Sequence, residues 1–374
     1  MDKFRVGIIG CGAIFPSHAF PLHILPNVEV KAVCDIKPAA LNTAVQLFHC
    51  AGYADYHELI KRQDIDVIHV LTPHYLHASM AVEAAYAGKH VLTEKPMAIK
   101  IEDAAAMLEA AKRNKVTLGV ISQNRYNAAS VAVKEALQNG SLGKILGQRI
   151  LMSWNKPMAY YQNSDWRGNL EKEGGSLLID QAVHVMDLAR WFVDDEIECI
   201  QANVSNRNFP AIETEDTAEG LIKYQNGVVA VFYGTNNYSY NASVLLETHC
   251  EKGIATVEFD RAVISYHNGK EITVLNDTTE TMDEADYTAF FHKTSAQTAF
   301  ETLTTWGVFS GPMVPSKYPR AYWGSTHIKQ IRNFYTSLAA GVQPDVNAAE
   351  AIKTQEMISA IYQSGQNHQV VKLH

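Results

Sequence analysis

The sequence predicts an α/β protein of two domains, a doubly wound parallel sheet over residues 1–122 and a second domain of helices and antiparallel strands over 123–374. Short β-branched apolar runs alternate with helical stretches through the first third, the pattern of strands buried on both faces. Beyond Ser122 the strand-like runs follow one another directly, with turn residues between neighbours. At roughly 150 residues per domain, the 374 residues also suit two.

Phe4 to Ile9, Val28 to Cys34, Val67 to Leu71, His90 to Thr93 and Val116 to Ile121 read as the parallel strands. Between them Pro38 to Cys50, Leu76 to Ala87 and Ile101 to Arg113 read as helices on right-handed crossovers. Met80, Ala81, Ala84 and Ala85 share one face of the second, and Gly88 stands where a C-cap belongs. The helix after the first strand is expected to be short or kinked, because Pro16 and Pro21 fall within it. In the second domain, helices are expected near Ala129 to Asn139 and Leu177 to Phe192. Strands are expected at Ile197 to Val204, Ala218 to Tyr224, Val228 to Thr235, Ser243 to Cys250, Ile254 to Phe259 and Ala262 to Tyr266. Gln225-Asn226-Gly227 and Asn268-Gly269 are hairpin turns, so these neighbours should be antiparallel. Helices over Thr326 to Ala340 and Ala348 to Ser364 precede a short apolar run at Val370 to Leu373.

Lys and Arg total 32 against 40 Asp and Glu, a formal net charge of −8. Such a chain lacks the basic face of a general nucleic-acid binder. Hydrophobic residues at 47% and charged residues at 19% suit a globular protein with a sizeable core. No apolar run approaches the ~18 residues that span a bilayer, and the start from Met1 to Gly7 shows no secretory pattern. Cys11, Cys34, Cys50, Cys199 and Cys250 are odd in number and form no Cys-x-x-Cys pair. That points to free thiols in a reducing cytoplasm rather than a disulfide framework or a structural zinc site.

Gly10-Cys11-Gly12-Ala13-Ile14 directly follows the first strand and precedes a helix. Glycines there let the backbone turn sharply and approach a pyrophosphate seated on the helix N-terminus. Asp35 stands 23 residues beyond Gly12 at the end of the second strand, where an acid bonds ribose hydroxyls. The same carboxylate repels a 2′-phosphate, so NAD is favoured over NADP. Phe15 departs from the fingerprint, which has Gly or Ala at that position.

Thr93-Glu94-Lys95-Pro96 follows a strand at the carboxyl edge of the sheet, where such folds bind ligands. Pro96 forces Lys95 into an extended conformation and opens the way to a cis Lys95–Pro96 bond. A lysine fixed there can donate to a substrate oxygen and stabilise developing negative charge. In the helix after Gly174-Gly175, Asp180, His184 and Asp187 recur at i, i+4 and i+7 on one stripe. A histidine oriented by a carboxylate one turn earlier is what a general acid–base needs. Tyr160-Tyr161 and Asp165-Trp166-Arg167-Gly168 offer aromatic faces and a cation. Gln123-Asn124-Arg125-Tyr126 falls at the domain junction. His74 and His77 follow Thr72-Pro73; histidines at i, i+3 without nearby acids or cysteines do not make a zinc site, so no metal is expected.

These segments together resemble the Gfo/Idh/MocA oxidoreductases, the glucose–fructose oxidoreductase and inositol dehydrogenase family. The resemblance is borne by residues 7–14, Ala32-Val33-Cys34-Asp35, residues 87–96, Gly174 through Asp187, and the terminal Trp323-Gly324-Ser325-Thr326-His327. It implies an N-terminal Rossmann domain binding NAD, a C-terminal α/β domain on an open, mostly antiparallel sheet, and catalytic roles for Lys95, Asp180 and His184. Cofactor contacts are then expected from Gly10, Gly12, Ala13, Ile14, Asp35, Ile36, Thr72, Pro73, His74, His77, Glu94, Lys95, Asn124, Trp166 and Arg167. Substrate contacts are expected from Lys95, Arg125, Tyr126, Tyr161, Asp180, His184 and His327. The segments at 123–127, 160–161, 166–168 and 213–218 look like the branch of UDP-N-acetylglucosaminuronate 3-dehydrogenases and related sugar 3-dehydrogenases. That branch often reads Asn-Gln-x-x-His, whereas Asp180-Gln181 here matches the inositol and simple-sugar pattern.

The expected activity is NAD-dependent oxidation of a secondary hydroxyl on a pyranose sugar, glycoside, sugar derivative or cyclic polyol. His184 takes the proton, Asp180 supports its charged form, and Lys95 bonds the reacting oxygen. An NAD-dependent glycosidase working by transient oxidation and a non-catalytic dinucleotide-binding sugar sensor are the alternatives. Residues 228–233 lack apolar–polar alternation, which predicts a sheet covered on both faces and hence a homodimer or homotetramer.

Overall fold

A computed structural model of the protein describes residues 3–258, 261–276 and 325–373. They form two compact units, one of residues 3–97, 102–123 and 325–351, the other of 98–101, 124–258, 261–276 and 352–373.

The first unit is built on a parallel sheet of β1 (Phe4–Ile9), β2 (Val28–Cys34), β3 (Ala51–Tyr53), β4 (Val67–Val70), β5 (His90–Thr93) and β6 (Leu118–Val120), in the order β3-β2-β1-β4-β5-β6. The connections are α1 (Phe15–Ile24), α2 (Pro38–Phe48), α3 (Tyr56–Ile60), α4 (His74–Tyr86) and α5 (Ile101–Asn114). Strand order reverses between β1 and β4, so the carboxyl ends of these two strands flank the switch point where ligands of such sheets bind. β3 and α3, at three and five residues, are too short for periodicity to announce them. α1 holds Pro16 in its first turn, where a missing N–H costs nothing, and Pro21 six positions into a ten-residue helix. Phe15 is buried and meets the Phe48 ring edge-on at 6.2 Å, so aromatic packing on α2 replaces the close contact a small residue would make.

The chain returns to this unit late. Helix α10 (Ser325–Ala340) places Ile331, Phe334 and Tyr335 in one core with Val6, Ile8, Val67 and Leu92. Gln330 fastens it further, donating to the Val120 carbonyl and accepting the Ser122 N–H. The division at 122/123 therefore does not hold for residues 325–351, which the sequence reading placed in the second domain. An apolar helix face says that it covers a sheet, not which one.

The second unit carries a sheet in the order β14-β13-β12-β11-β7-β10-β9-β8-β15. Its strands are β7 (Ile145–Ser153), β8 (Ile197–Ser205), β9 (Thr217–Tyr224), β10 (Val229–Thr235), β11 (Leu245–Cys250), β12 (Gly253–Val257), β13 (Arg261–Tyr266), β14 (Glu271–Leu275) and β15 (Val371–Lys372). Pairing is antiparallel throughout except that β7 runs parallel to β10. Both β7 and β14 escaped the sequence reading. In β7 the outward positions include Leu146 and Leu151, which blur the alternation that marks a half-buried strand. Strand β10, expected to be apolar on both faces, alternates in burial: Ala230 and Phe232 face in, while Val229 and Val231 are exposed. The helices are α6 (Ala128–Gln138), α7 (Met158–Gln162), α8 (Leu170–Glu173), α9 (Val183–Val193) and α11 (Ala348–Asn367). The expected single helix from 177 is divided: Leu177–Ala182 is π-helical and only then does α9 begin.

Candidate active site

The loop after β1 has the shape of a phosphate cradle. Gly10 has φ +97°, and a Cβ there would meet the Leu71 carbonyl oxygen at 2.6 Å. A Cβ on Gly12 would meet nothing within 4 Å, so the backbone before α1 faces open space, as close approach of a pyrophosphate requires. Ala13 is exposed and Ile14 half-buried. Asp35 Oδ2 accepts the Cys11 N–H and Oδ1 accepts the Lys37 N–H, each at 2.7 Å. Each oxygen keeps a further lone pair, so ribose hydroxyls can still be bound by a carboxylate that also braces the loop. Ile36 is 82% exposed beside it. These residues fit a dinucleotide.

Thr72 and Pro73, both half-buried, follow β4 and lead into α4. His77 bridges this turn to the next: its Nε2 lies 2.7 Å from the Thr72 carbonyl oxygen and its Nδ1 2.8 Å from that of Pro96. At 1% exposure His77 ties the two turns together, with the single N–H of a neutral ring between two carbonyl oxygens. The Lys95–Pro96 bond is cis, and Lys95 is half-buried beyond the end of β5. Glu94, also expected at the cofactor, is buried: Oε1 meets His18 Nε2 and His327 Nε2, and Oε2 accepts the Lys95 N–H. His327, expected at the substrate, is 1% exposed and a partner of Glu94. His74 is buried with its ring 5.8 Å from that of His77.

In the second unit, Glu215 accepts the Ser176 and Leu178 N–H groups and the Tyr362 hydroxyl, satisfying donors at the start of the π-helical segment. A Cβ on Gly175 would collide with that Tyr362 hydroxyl. Bonding from i to i+5 widens the turn that carries Asp180, a device frequent at functional sites. Tyr160 donates to Asp180 Oδ2 at 2.6 Å and Gln181 Nε2 to the same oxygen at 2.5 Å. The Arg167 guanidinium lies between the Tyr160 and Trp166 rings, 4.5 and 4.6 Å from their centroids. Glu173 packs below with no exposure; burial, then the Asp180 charge, push its pKa up to about 9. His184 is 4% exposed in the first turn of α9.

Asp187 leaves the expected stripe. It takes Arg125 Nε and Nη2 at 2.7 and 2.6 Å and the Thr354 hydroxyl at 2.7 Å. Arg125, expected at the substrate, is thus spent on a buried ion pair and on the Trp191 ring. Tyr161 is likewise internal, its hydroxyl 2.8 Å from Ser176 Oγ. Tyr126 is half-buried at the end of the 3₁₀ turn Gln123–Tyr126. Asn124 is 2% exposed, and its side-chain amide makes no hydrogen bond among the described residues. The partners that sequence reasoning missed, His18, His69, Tyr335, Glu173 and the Tyr160–Asp180 bond, join positions with no local signature.

All five cysteines are free thiols, and no helix among the described residues is long and apolar enough to cross a membrane.

A family model described as an oxidoreductase family with an NAD-binding Rossmann fold matches residues 4–122, and the GFO/IDH/MocA C-terminal domain model matches 130–256. Levoglucosan dehydrogenase of Pseudarthrobacter phenanthrenivorans is 25% identical over 97% of this chain and 96% of its own length. Myo-inositol 2-dehydrogenase of Thermotoga maritima is 26% identical over 67% of this chain and 73% of its own. The WlbA dehydrogenase of Bordetella pertussis, solved with NADH and UDP-GlcNAcA, is 26% identical with a TM-score of 0.80, over 100% of this chain and 98% of that one.

Proposed function

Because the chain belongs to the Gfo/Idh/MocA oxidoreductases, NAD-dependent enzymes acting on CH–OH groups, we propose that it oxidises a secondary hydroxyl of a pyranose sugar, glycoside or cyclic polyol. The nicotinamide of bound NAD supplies the hydride acceptor. Gly10, Gly12 and Asp35 hold the dinucleotide, and the Asn124 amide is a further donor and acceptor for it.

His184 takes the hydroxyl proton as the carbon is oxidised. Asp180 favours the charged imidazole, and its own orientation is set by Tyr160 and Gln181. Lys95 donates to the reacting oxygen. The observation that best supports this reading is the doubly bonded Asp180 carboxylate one turn before His184, since a binding module has no need of an oriented acid there. Asp180 in place of Asn favours a simple sugar or polyol over a nucleotide sugar.

The protein is further inferred to be a cytoplasmic homodimer or homotetramer. Leu146, Leu151, Val229 and Val231 are all exposed on the outer face of one sheet, an apolar surface that a second copy would cover.

A panel of sugars, glycosides, inositols and uronates assayed with NAD by NADH absorbance tests the activity. Sustained NADH formation with at least one member is expected. Release of free aglycone without net NADH would mark the glycosidase alternative, and NAD binding without turnover the sensor.

A further inference from the structure

A buried chain of hydrogen bonds joins five side chains of the first unit. Tyr335 Oη lies 2.8 Å from His69 Nε2, His69 Nδ1 lies 2.9 Å from His18 Nδ1, and His18 Nε2 lies 3.0 Å from Glu94 Oε1. His327 Nε2 reaches the same oxygen at 3.1 Å, and Glu94 Oε2 accepts the Lys95 backbone N–H at 3.1 Å. No member is more than 5% exposed.

A neutral imidazole has one donor and one acceptor, which leaves few consistent arrangements. An ionised Glu94 accepts only, so His18 and His327 must both present Nε2–H to it. His18 Nδ1 is then an acceptor, His69 presents Nδ1–H, and His69 Nε2 accepts the Tyr335 hydroxyl. Every contact is satisfied with one negative charge and no positive one. The reverse direction needs a protonated Glu94, its Oε1–H donating to His18 while accepting from His327, and so is open only to a neutral carboxyl. Burial holds His18 and His69 below the ordinary imidazole value, as neutral rings require. Burial pushes Glu94 up, but the His18 and His327 bonds prevail and hold it well below the usual carboxylate range.

His18, Glu94 and His327 also bring three ligand-type atoms within 4.8 Å of one another. Separations of 3.0 and 3.1 Å are N–H···O distances. Ligands spread tetrahedrally about a zinc ion at its usual bond lengths would stand about 3.3 Å apart, with both Nε2 atoms deprotonated.

We propose that Glu94 is a positioning residue for Lys95, its carboxylate fixed by the directional chain Tyr335→His69→His18→Glu94 and by His327, and in turn fixing the Lys95 backbone at the carboxyl edge of β5. This rests on Lys95 contacting the substrate. Glu94 supplies a charge-assisted bond to that backbone, stronger than a neutral acceptor would give.

Glu94→Gln keeps the shape and tests the charge. Its oxygen can accept the Lys95 N–H while its NH₂ donates to both histidines, so every imidazole should invert. Ring ¹⁵N spectra of the histidine-labelled holoenzyme should show His18 and His327 as Nε2–H and His69 as Nδ1–H in the unaltered protein, and the opposite tautomers in Glu94→Gln. On the best substrate of the sugar panel, kcat should fall roughly 10- to 100-fold, the scale of a small misplacement, with NAD affinity within about twofold. Tyr335→Phe should leave His18 and His327 as Nε2–H, since the carboxylate sets the direction, which keeps the test available if Glu94→Gln does not fold. Nδ1–H at His18 in the unaltered protein or in Tyr335→Phe overturns the proposal, as does unchanged kcat in Glu94→Gln. Stoichiometric zinc in the purified protein, with turnover lost on chelation, overturns it in favour of a metal site. Lys95→Met separates the two readings: full turnover there removes Lys95 from the chemistry, whereas lost turnover beside an unimpaired Glu94→Gln removes only the positioning role.

Discussion

Tyr160 and Asp180 are joined by a 2.6 Å hydrogen bond from the phenol to Oδ2, across 20 residues of sequence. The Arg167 guanidinium stacks on the same phenol ring, so a segment that reads as loose aromatic loop orients the carboxylate ahead of His184. Holding a general base's supporting acid in one pose keeps its field directed at the imidazole rather than averaged over rotamers.

Tyr160→Phe keeps the ring under Arg167 and removes the hydroxyl that donates to Asp180 and accepts from Gln181 Nε2. Turnover should fall by roughly tenfold, while His184→Ala should lose roughly 10²–10⁴, the worth of a positioned acid–base. NAD affinity should hardly move in either, as isothermal titration would show. A Tyr160→Phe enzyme with full kcat would leave Asp180 without need of its partner.

Asp35 has two duties. It is expected to select NAD, and it accepts the Cys11 and Lys37 N–H groups. Asp35→Ser should therefore narrow the NAD preference and also lower stability by about 1–3 kcal/mol, since amide donors lose a charged acceptor. Thermal unfolding of the cofactor-free protein checks the second effect apart from the first. An unchanged Tm with altered cofactor preference would deny the bracing role.

Most of the first sheet was legible because buried parallel strands are continuous β-branched runs, and β1 and β2 begin and end where the residues say. Lys95, Asp180 and His184 were legible as motif members. The surroundings were not, because they are built from distant positions: His69 finds Tyr335 266 residues away, and Arg125 finds Asp187 62 residues away. A stripe drawn at α-helical spacing ran Asp180 straight into His184 and Asp187, although residues 177–182 wind as a π-helix and only the later two share a regular helix. Five expected ligand contacts, His77, Glu94, Arg125, Tyr161 and His327, are engaged internally. A polar residue beside a motif is as useful for bracing a loop as for touching a ligand, and its type does not say which.

The outer face of the second sheet should be covered. Val231 is 48% exposed and Leu146 61% exposed on neighbouring strands. Val231→Glu would place a charge in that covered surface, so light scattering should show a dimer or tetramer for the unaltered protein and a shift to monomer for the variant. A stable monomer of the unaltered chain at micromolar concentration would end the oligomer reading.

Glu173 should make the second unit less stable as pH rises. Its side chain is wholly buried, and Gly168 N–H and Arg167 only partly offset the burial and the Asp180 charge that raise its pKa to about 9 from 4.5. Below 4.5 the carboxyl is protonated folded or unfolded, and above about 9 it is ionised in both. Between them the folded chain keeps a proton that the unfolded chain has released. Stability is therefore lost as pH climbs through that window, by at most about 1.4 kcal/mol per pH unit for one full proton. Glu173→Gln is neutral at every pH, and its amide oxygen can still accept the Gly168 N–H. The variant should be close to the unaltered protein at pH 5 and increasingly more stable toward pH 8, seen as a widening Tm difference in parallel melts at each pH. A difference that stays constant across that range would mean that Glu173 is ionised in the folded protein, with a cation beside it that offsets its burial.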